Sequence, residues 1–208
     1  MSPLRGANVE ARPLVLASQS RIRRSLLEHA GVRFAVEPAE VDEAELRAAI
    51  KAEAGTAGDA AEALAALKAE RVGRHHRQAI VLGCDQILDC GGTWFEKPAD
   101  RAAAQVQLKA LSGRSHDLLS AVVAFGDGAR LWHHTGRARL FMRPLSDTFV
   151  EAYLDAMGEA ALSSVGAYQL EGLGAQLFSR IEGDYFTILG LPLLPLLDFL
   201  RQHGLLAR

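Results

Sequence analysis

The sequence has few cysteines and no large excess of charge of either sign. Only Cys84 and Cys90 occur, and neither belongs to a CxxC pair or lies beside metal-spaced histidines. No zinc site is therefore predicted, and two reduced thiols of a cytoplasmic protein are expected. The formal net charge of -2 over 208 residues provides no overall attraction to long nucleic acid or to a membrane surface.

Long apolar runs and several nucleotide-binding motifs are also missing. The N-terminal residues lack the apolar core of a signal peptide, and Pro192, Pro195 and Asp198 interrupt the longest apolar stretch, so no membrane span or export is predicted. There is no GxxxxGK[ST] loop and no GxSxG motif, and the glycines at 172 and 174 lack the third glycine of a dinucleotide fingerprint. We therefore expect a cytoplasmic protein whose partners are small molecules.

What the sequence does contain is enough apolar material for a folded domain. Hydrophobic residues make up 49% of the chain, and segments with strand and helix patterns are mixed along it without a repeat or a low-complexity linker. This mixture indicates an α/β or α+β architecture. We predict an N-terminal extension over residues 1–12 and one domain over residues 13–208.

The first candidate site follows a short apolar strand at 13–17. Residues 18–24 read SQSRIRR at the start of a predicted helix, where unsatisfied N–H groups and the helix dipole favour an anion such as phosphate. Ser18, Ser20 and Arg23 are the candidate ligands. The alternative is an ordinary N-cap serine followed by solvated arginines.

Two acidic residues are candidates for binding a hard cation. Asp85 directly follows an apolar strand predicted at 79–84, and we expect it near the strand end, where an ionised carboxylate needs a cation or a catalytic task. Glu43 belongs to an acidic run at 42–45 and is a candidate companion. A turn residue and a solvated first helical turn are the respective alternatives.

Two lysines are candidates for holding phosphate as point charges. Lys68 lies within an otherwise apolar helix face, and Lys97 follows a predicted hairpin. Either side chain can instead extend along the surface with its charge in water.

Taken together, several blocks in order resemble the Maf family of nucleotide pyrophosphatases. They are LVLASQSRIRRSLL (14–27), EVDEAE (40–45), ALKAERV (66–72), VLGCDQIL (81–88), FEKPADRAAA (95–104), LSGRSH (111–116) and GAYQLEGLGAQLFSRIEGDYFTILGLPL (166–193). The resemblance covers nearly the whole chain.

The resemblance implies a Maf/ITPase-like α/β fold, with a mixed sheet, flanking helices and two lobes around a central cleft. It also implies a cytoplasmic enzyme, often a homodimer, that requires a divalent metal cation (Mg²⁺ or Mn²⁺) and converts nucleoside triphosphates to monophosphate and pyrophosphate. By motif match, Asp85 is the catalytic acid-base residue, with Glu43, Lys68 and Lys97 as further active-site residues. Glu43 and Asp85 are the expected metal ligands, and Ser18, Ser20 and Arg23 the expected phosphate-binding residues.

Departures from the family's commonest pattern concern the nucleobase of the preferred substrate. Gln86 follows the aspartate where threonine is usual, and Glu171 replaces glutamine, a pair that resembles the 7-methyl-GTP branch. Arg21 and Ile22 stand where proline and arginine are common, and Ser164 replaces lysine; Ile22, a candidate substrate contact, matches neither branch.

The chemistry of guanine agrees with the Gln86 and Glu171 pair. Guanine presents N1–H and N2–H donors side by side, which one carboxylate accepts in bidentate fashion, and methylation at N7 adds positive charge. We therefore predict a guanine-type substrate, either 7-methyl-GTP or another guanine nucleotide. The alternatives are a dTTP or UTP pyrophosphatase and a non-catalytic nucleotide-binding regulator of septum formation.

Overall fold

The computed structural model describes residues 12–207. The predicted N-terminal extension therefore lies outside the described residues, apart from Arg12. Seven strands are described: β1 (Leu14–Ala17), β2 (Ala35–Val36), β3 (Ile80–Cys90), β4 (Thr93–Phe95), β5 (Ser115–Gly126), β6 (Ala129–Met142) and β7 (Phe178–Glu182). Seven α-helices accompany them: α1 (Arg21–His29), α2 (Glu43–Ala52), α3 (Ala57–Gly73), α4 (Arg101–Leu111), α5 (Asp147–Met157), α6 (Tyr185–Ile188) and α7 (Leu193–Gln202).

The strands form one mixed sheet. Its order is β2-β1-β3-β5-β6-β7, with β4 paired to β3. Strand β1 runs parallel to both β2 and β3, whereas β3 with β4 and β6 with β7 are antiparallel. The predicted α/β class, a mixed sheet with flanking helices, is confirmed.

The chain divides into two compact units. Unit 1 contains residues 12–86, 120–136 and 190–207 of the described chain, and unit 2 contains residues 87–119 and 137–189. Strands β3, β5 and β6 each contribute residues to both units.

The core of unit 1 depends on close contact between β3 and α3. The buried face of α3 is rich in alanine, including Ala65 and Ala69, which are both fully buried. A Cβ on Gly83 would lie 2.0 Å from the Ala65 carbonyl oxygen and 2.6 Å from the Ala69 nitrogen. Only glycine lets the strand backbone approach the helix this closely. Lys68 lies on the same stretch of α3, so this contact places its side chain beside β3.

Unit 2 has its own apolar core. Leucines from α4, β5 and β6 are fully buried there together with the aromatic residues Tyr153 and Tyr168. His116, which is 2% exposed, lies 2.8 Å from the Tyr168 hydroxyl through Nε2. Burial lowers the pKa of His116 to about 4, although the charge of Asp117 acts in the opposite direction.

The alanine- and leucine-rich pattern predicts a helix from about Asp59 to His75, and this boundary needs correction. Helix α3 begins at Ala57, because Thr56 is the N-cap and Asp59 closes a capping box with it. Strand β7 and the short helix α6 were not predicted from the sequence. Within residues 12–207, no helix is both long and apolar enough to cross a bilayer.

Candidate functional site

Asp85 lies inside a strand. The prediction that it stands at a strand end is wrong, because β3 continues from Ile80 to Cys90. The strand that ends is the parallel neighbour β1, whose last residue, Ala17, pairs with Gly83. Asp85 is therefore just beyond the last β1 pair, held by a rigid strand and only 4% exposed.

Lys68 connects the two predicted acidic residues. Its Nζ lies 2.6 Å from Asp85 Oδ1 and 2.6 Å from Glu43 Oε1. Glu43 comes from the first turn of α2, whose N-cap Asp42 accepts a hydrogen bond from the Glu45 nitrogen. Residues from α2, α3 and β3 thus meet at one point within unit 1, where both carboxylates share a single ammonium group.

Arg47 is a fourth charged residue of this cluster, and the sequence reasoning missed it. Its Nη2 lies 2.6 Å from Glu43 Oε2 and 3.8 Å from Asp85 Oδ2. The spacing of four residues from Glu43 on a predicted helix was an available signal, since such residues are neighbours on a helix surface. The second contact, to Asp85, depends on the fold and has no local sequence signal.

The four side chains form a ring of alternating charge, which we call the acid–base ring: Glu43, Lys68, Asp85 and Arg47. Burial raises the pKa of Glu43, but the hydrogen bond and charge of Lys68 and the charge of Arg47 outweigh it, so the pKa lies below its usual value. Asp85 Oδ2 is buried and has no hydrogen-bond partner among the described residues. A buried carboxylate oxygen without a hydrogen-bond partner is costly, so this atom is the position of the ring that most favours a ligand.

The donor set of the acid–base ring fits a divalent metal. Mg²⁺ is commonly held by one or two carboxylates together with substrate phosphates and water, and Glu43 and Asp85 are two carboxylates around one point. The unpartnered Oδ2 of Asp85 is open to such an ion or to a water molecule that the ion would hold. Among residues 12–207, no group of three or more His, Cys, Asp or Glu side chains is arranged to hold a metal alone, so phosphate or water oxygens have to supply the remaining ligands.

The first loop is organised by its own side chains. Ser20 caps α1 by accepting a hydrogen bond from the Arg23 nitrogen, and Ser18 Oγ accepts one from the Ser20 nitrogen. The Arg23 guanidinium donates to Gly190 O at 2.8 Å, Cys84 O at 2.9 Å and Ser18 Oγ at 3.1 Å. Arg23 thus fastens the loop to the residue that precedes Asp85. These three acceptors are uncharged, which leaves the positive charge of Arg23 available to an anion.

Gln86 and Ile22 also lie in unit 1. The Gln86 amide donates to Ser120 Oγ at 2.9 Å, and Ser120 is fully buried. Ile22 is a half-buried residue in the first turn of α1. Gln86 is therefore held in a fixed orientation directly after Asp85.

Lys97 and Glu171 belong to unit 2, and both are exposed. Lys97 follows β4. Glu171 lies in a tight loop closed by a hydrogen bond from the Gly172 nitrogen to Gln169 O at 3.2 Å. A Cβ on Gly174 would lie 2.3 Å from that same oxygen, so the backbone of this glycine-rich segment packs closely against itself.

Unit 2 also contains a polar pocket of about 470 Å³. Its lining residues are Asp89, Gly91, Arg114, Ser115, His116, Asp117 and Arg139. None of the residues predicted to carry the chemistry lines it. The pocket therefore adds nothing to the case for the acid–base ring.

Comparisons with known proteins identify the family of this chain. Residues 13–203 match the family model described as Maf-like protein. A nucleoside triphosphate pyrophosphatase of Paramagnetospirillum magneticum is 55% identical over 91% of this chain and 98% of the relative. The corresponding protein of Granulibacter bethesdensis is 51% identical over 91% and 96%. A 7-methyl-GTP pyrophosphatase of Rhizobium etli is 51% identical over 92% and 96%. With a family match over most of its length and relatives this similar, the chain belongs to the Maf family.

Proposed function

We propose that this protein hydrolyses nucleoside triphosphates to the monophosphate and pyrophosphate, with the acid–base ring as its catalytic centre. The observation that carries the proposal is the buried, unpartnered Oδ2 of Asp85 beside a carboxylate and two cations. Relatives at 51–55% identity bear the name nucleoside triphosphate pyrophosphatase, which supports the same reaction.

Asp85 acts as the general base in this proposal. Its Oδ1 is fixed by Lys68, which leaves Oδ2 to orient a water molecule and accept its proton. Attack of that water on the α-phosphorus expels pyrophosphate. Arg23, whose three described acceptors are all neutral, and Lys97 stabilise negative charge on the phosphates.

We further propose that the reaction depends on Mg²⁺ or Mn²⁺ held by Glu43 and Asp85. When bound, a divalent cation neutralises phosphate charge and polarises the phosphoryl group. The low pKa of Glu43 keeps this ligand ionised across the physiological pH range. A cytoplasmic location and a homodimer remain proposals that rest on the family resemblance.

For the nucleobase of the substrate, we propose guanine, with 7-methyl-GTP the preferred candidate. Gln86 and Glu171 form the pair that resembles the 7-methyl-GTP branch, and a relative from Rhizobium etli bears that name. The exposed carboxylate of Glu171 is free to accept two N–H donors from guanine. A preference for dTTP or UTP is the alternative.

The reaction is tested by following both products in H₂¹⁸O. Purified full-length protein is incubated with Mg²⁺ or Mn²⁺ and each of 7-methyl-GTP, GTP, dTTP, UTP and CTP, with EDTA as the metal-free control. We expect monophosphate and pyrophosphate in equal amounts, the label in the monophosphate, and no turnover with EDTA. Label in pyrophosphate would contradict attack at the α-phosphorus, and nucleotide binding without turnover would favour a non-catalytic regulator.

A further inference from the structure

Arg47 occupies the side of the carboxylate pair that Lys68 leaves open. Lys68 Nζ contacts Oε1 of Glu43 and Oδ1 of Asp85. Arg47 contacts Oε2 of Glu43 at 2.6 Å and lies 3.8 Å from Oδ2 of Asp85. Every carboxylate oxygen of the pair thus has a cation within 4 Å. Two negative and two positive side chains make the ring electrically neutral.

A neutral ring is a poor binding site for a free divalent cation. A metal that coordinates Glu43 and Asp85 comes within a few ångströms of two positive side chains, and this repulsion weakens binding. Lys68 is the more firmly held of the two, because it is 8% exposed and bonds both carboxylates. Arg47 lies 2.6 Å from Glu43, whose side chain is 37% exposed, and 3.8 Å from Asp85, which is the longest contact of the ring. This longer contact makes Arg47, rather than Lys68, the cation that a metal at Asp85 Oδ2 displaces.

We propose that Arg47 is an exchangeable counter-ion that competes with the divalent metal for Glu43 and Asp85. In the metal-free protein it holds both carboxylates in place, and it is displaced when a metal binds, most readily when the metal arrives with a triphosphate whose charge attracts the released guanidinium. Arg47 is a positioning residue in this account. The inference rests on the proposed function only in assigning a metal to the carboxylate pair.

A surface pair on α3 distinguishes this role from simple helix stabilisation. Glu70 and Arg74 have the same four-residue spacing as Glu43 and Arg47, and a similar distance of 2.7 Å. The Arg74 side chain is 72% exposed, however, whereas that of Arg47 is 18% exposed and faces a second carboxylate. Arg74→Gln is therefore a matched control for Arg47→Gln.

The test measures Mn²⁺ binding to the nucleotide-free, full-length protein by electron paramagnetic resonance of the free ion. Arg47→Met removes the charge, and Arg47→Gln removes it while keeping a hydrogen-bond donor for Glu43; circular dichroism checks that both fold. We expect both variants to bind Mn²⁺ about tenfold more tightly than the wild type, and Arg74→Gln to bind within about twofold of it.

Unchanged or weaker Mn²⁺ binding in both Arg47 variants would overturn the proposal, as would an equal gain in Arg74→Gln. Pyrophosphate release by the wild type is measured on the same preparations and judges the proposed function separately. Normal release with unchanged Mn²⁺ affinity in the Arg47 variants would remove the role of Arg47 and leave the proposed function standing.

Discussion

Lys68 Nζ lies 2.6 Å from Asp85 Oδ1, and both residues are almost completely buried. The same ammonium group reaches Glu43 at 2.6 Å, so two acids of unit 1 share one lysine, and Arg47 supplies the second positive charge. Because removal of one member of a buried ion pair leaves an uncompensated charge, loss of Lys68 is expected to destabilise the site.

Replacement of Lys68 by methionine should lower the free energy of unfolding by about 3 kcal/mol, because Asp85 loses its cation. Adding Asp85→Asn to this variant should recover part of that loss, since no buried charge then remains unpaired. Urea unfolding measures the free energy of unfolding of the single and the double variant. Lys109→Met is the control, because Lys109 forms an exposed pair with Asp147 at 2.7 Å and should cost no more than about 1 kcal/mol. Similar losses for Lys68→Met and Lys109→Met would contradict this account.

The contact between β3 and α3 predicts a strong effect at Gly83. Alanine there would place a methyl group 2.0 Å from Ala65 O, so Gly83→Ala should destabilise the protein by about 2–3 kcal/mol. Gly58, within α3, has its nearest neighbour at 3.6 Å, and Gly58→Ala should be neutral or stabilising by up to about 1 kcal/mol. Thermal unfolding of the Gly83→Ala and Gly58→Ala variants tests both expectations. A Gly83→Ala protein as stable as the wild type would show that close contact between β3 and α3 is not required.

Glu171→Gln tests which nucleobase the protein prefers in its substrate. If the carboxylate accepts two donors from guanine, the change should lower kcat/KM for 7-methyl-GTP and GTP more than for UTP and dTTP. The difference should correspond to a loss of transition-state stabilisation of about 1–3 kcal/mol. Glu159→Gln, at another exposed acid, should alter no substrate preference. An equal loss on purines and pyrimidines would argue against base recognition by Glu171.

The buried His116 predicts a pH dependence of stability. Burial lowers its pKa to about 4 in the folded protein, whereas the unfolded chain titrates near the ordinary value of about 6.5. Between these values the unfolded state binds the extra proton, so the free energy of unfolding falls as the pH falls from about 6.5 to 4, by up to about 3 kcal/mol.

Urea unfolding at pH 7 and pH 5 measures this effect. His116→Gln should reduce the difference between the two pH values, while His29→Gln, at an exposed histidine, should leave it unchanged. A pH dependence that is identical in all three proteins would show that His116 is not its source.

The sequence predicted the elements well where local chemistry decides them. The hairpin at residues 90–93 and the strand before Asp85 both follow from local patterns. The continuation of β3 past Asp85 was missed although residues 88–90 pair with the nearby strand β4, because a charged residue after an apolar run was interpreted as the end of the strand.

The candidate site, too, could be predicted only in part from local sequence patterns. Taken alone, Glu43 was better explained as a solvated helical residue, and only the family resemblance singled it out. Its contact with Lys68 joins α2 to α3, and Arg47 reaches Asp85 across the fold. Long-range contacts between charged side chains decide which acids are catalytic candidates, and no local pattern specifies them.

The central claim is that Asp85 is the base of the reaction, and pyrophosphate release by Asp85→Asn tests it most directly. Asparagine preserves the size of the side chain but accepts no proton, so kcat should fall at least about 100-fold with Mg²⁺ and the best substrate. Asp127→Asn, at an exposed aspartate paired with Arg12, should retain the wild-type rate. Comparable rates in the two folded variants would contradict the account.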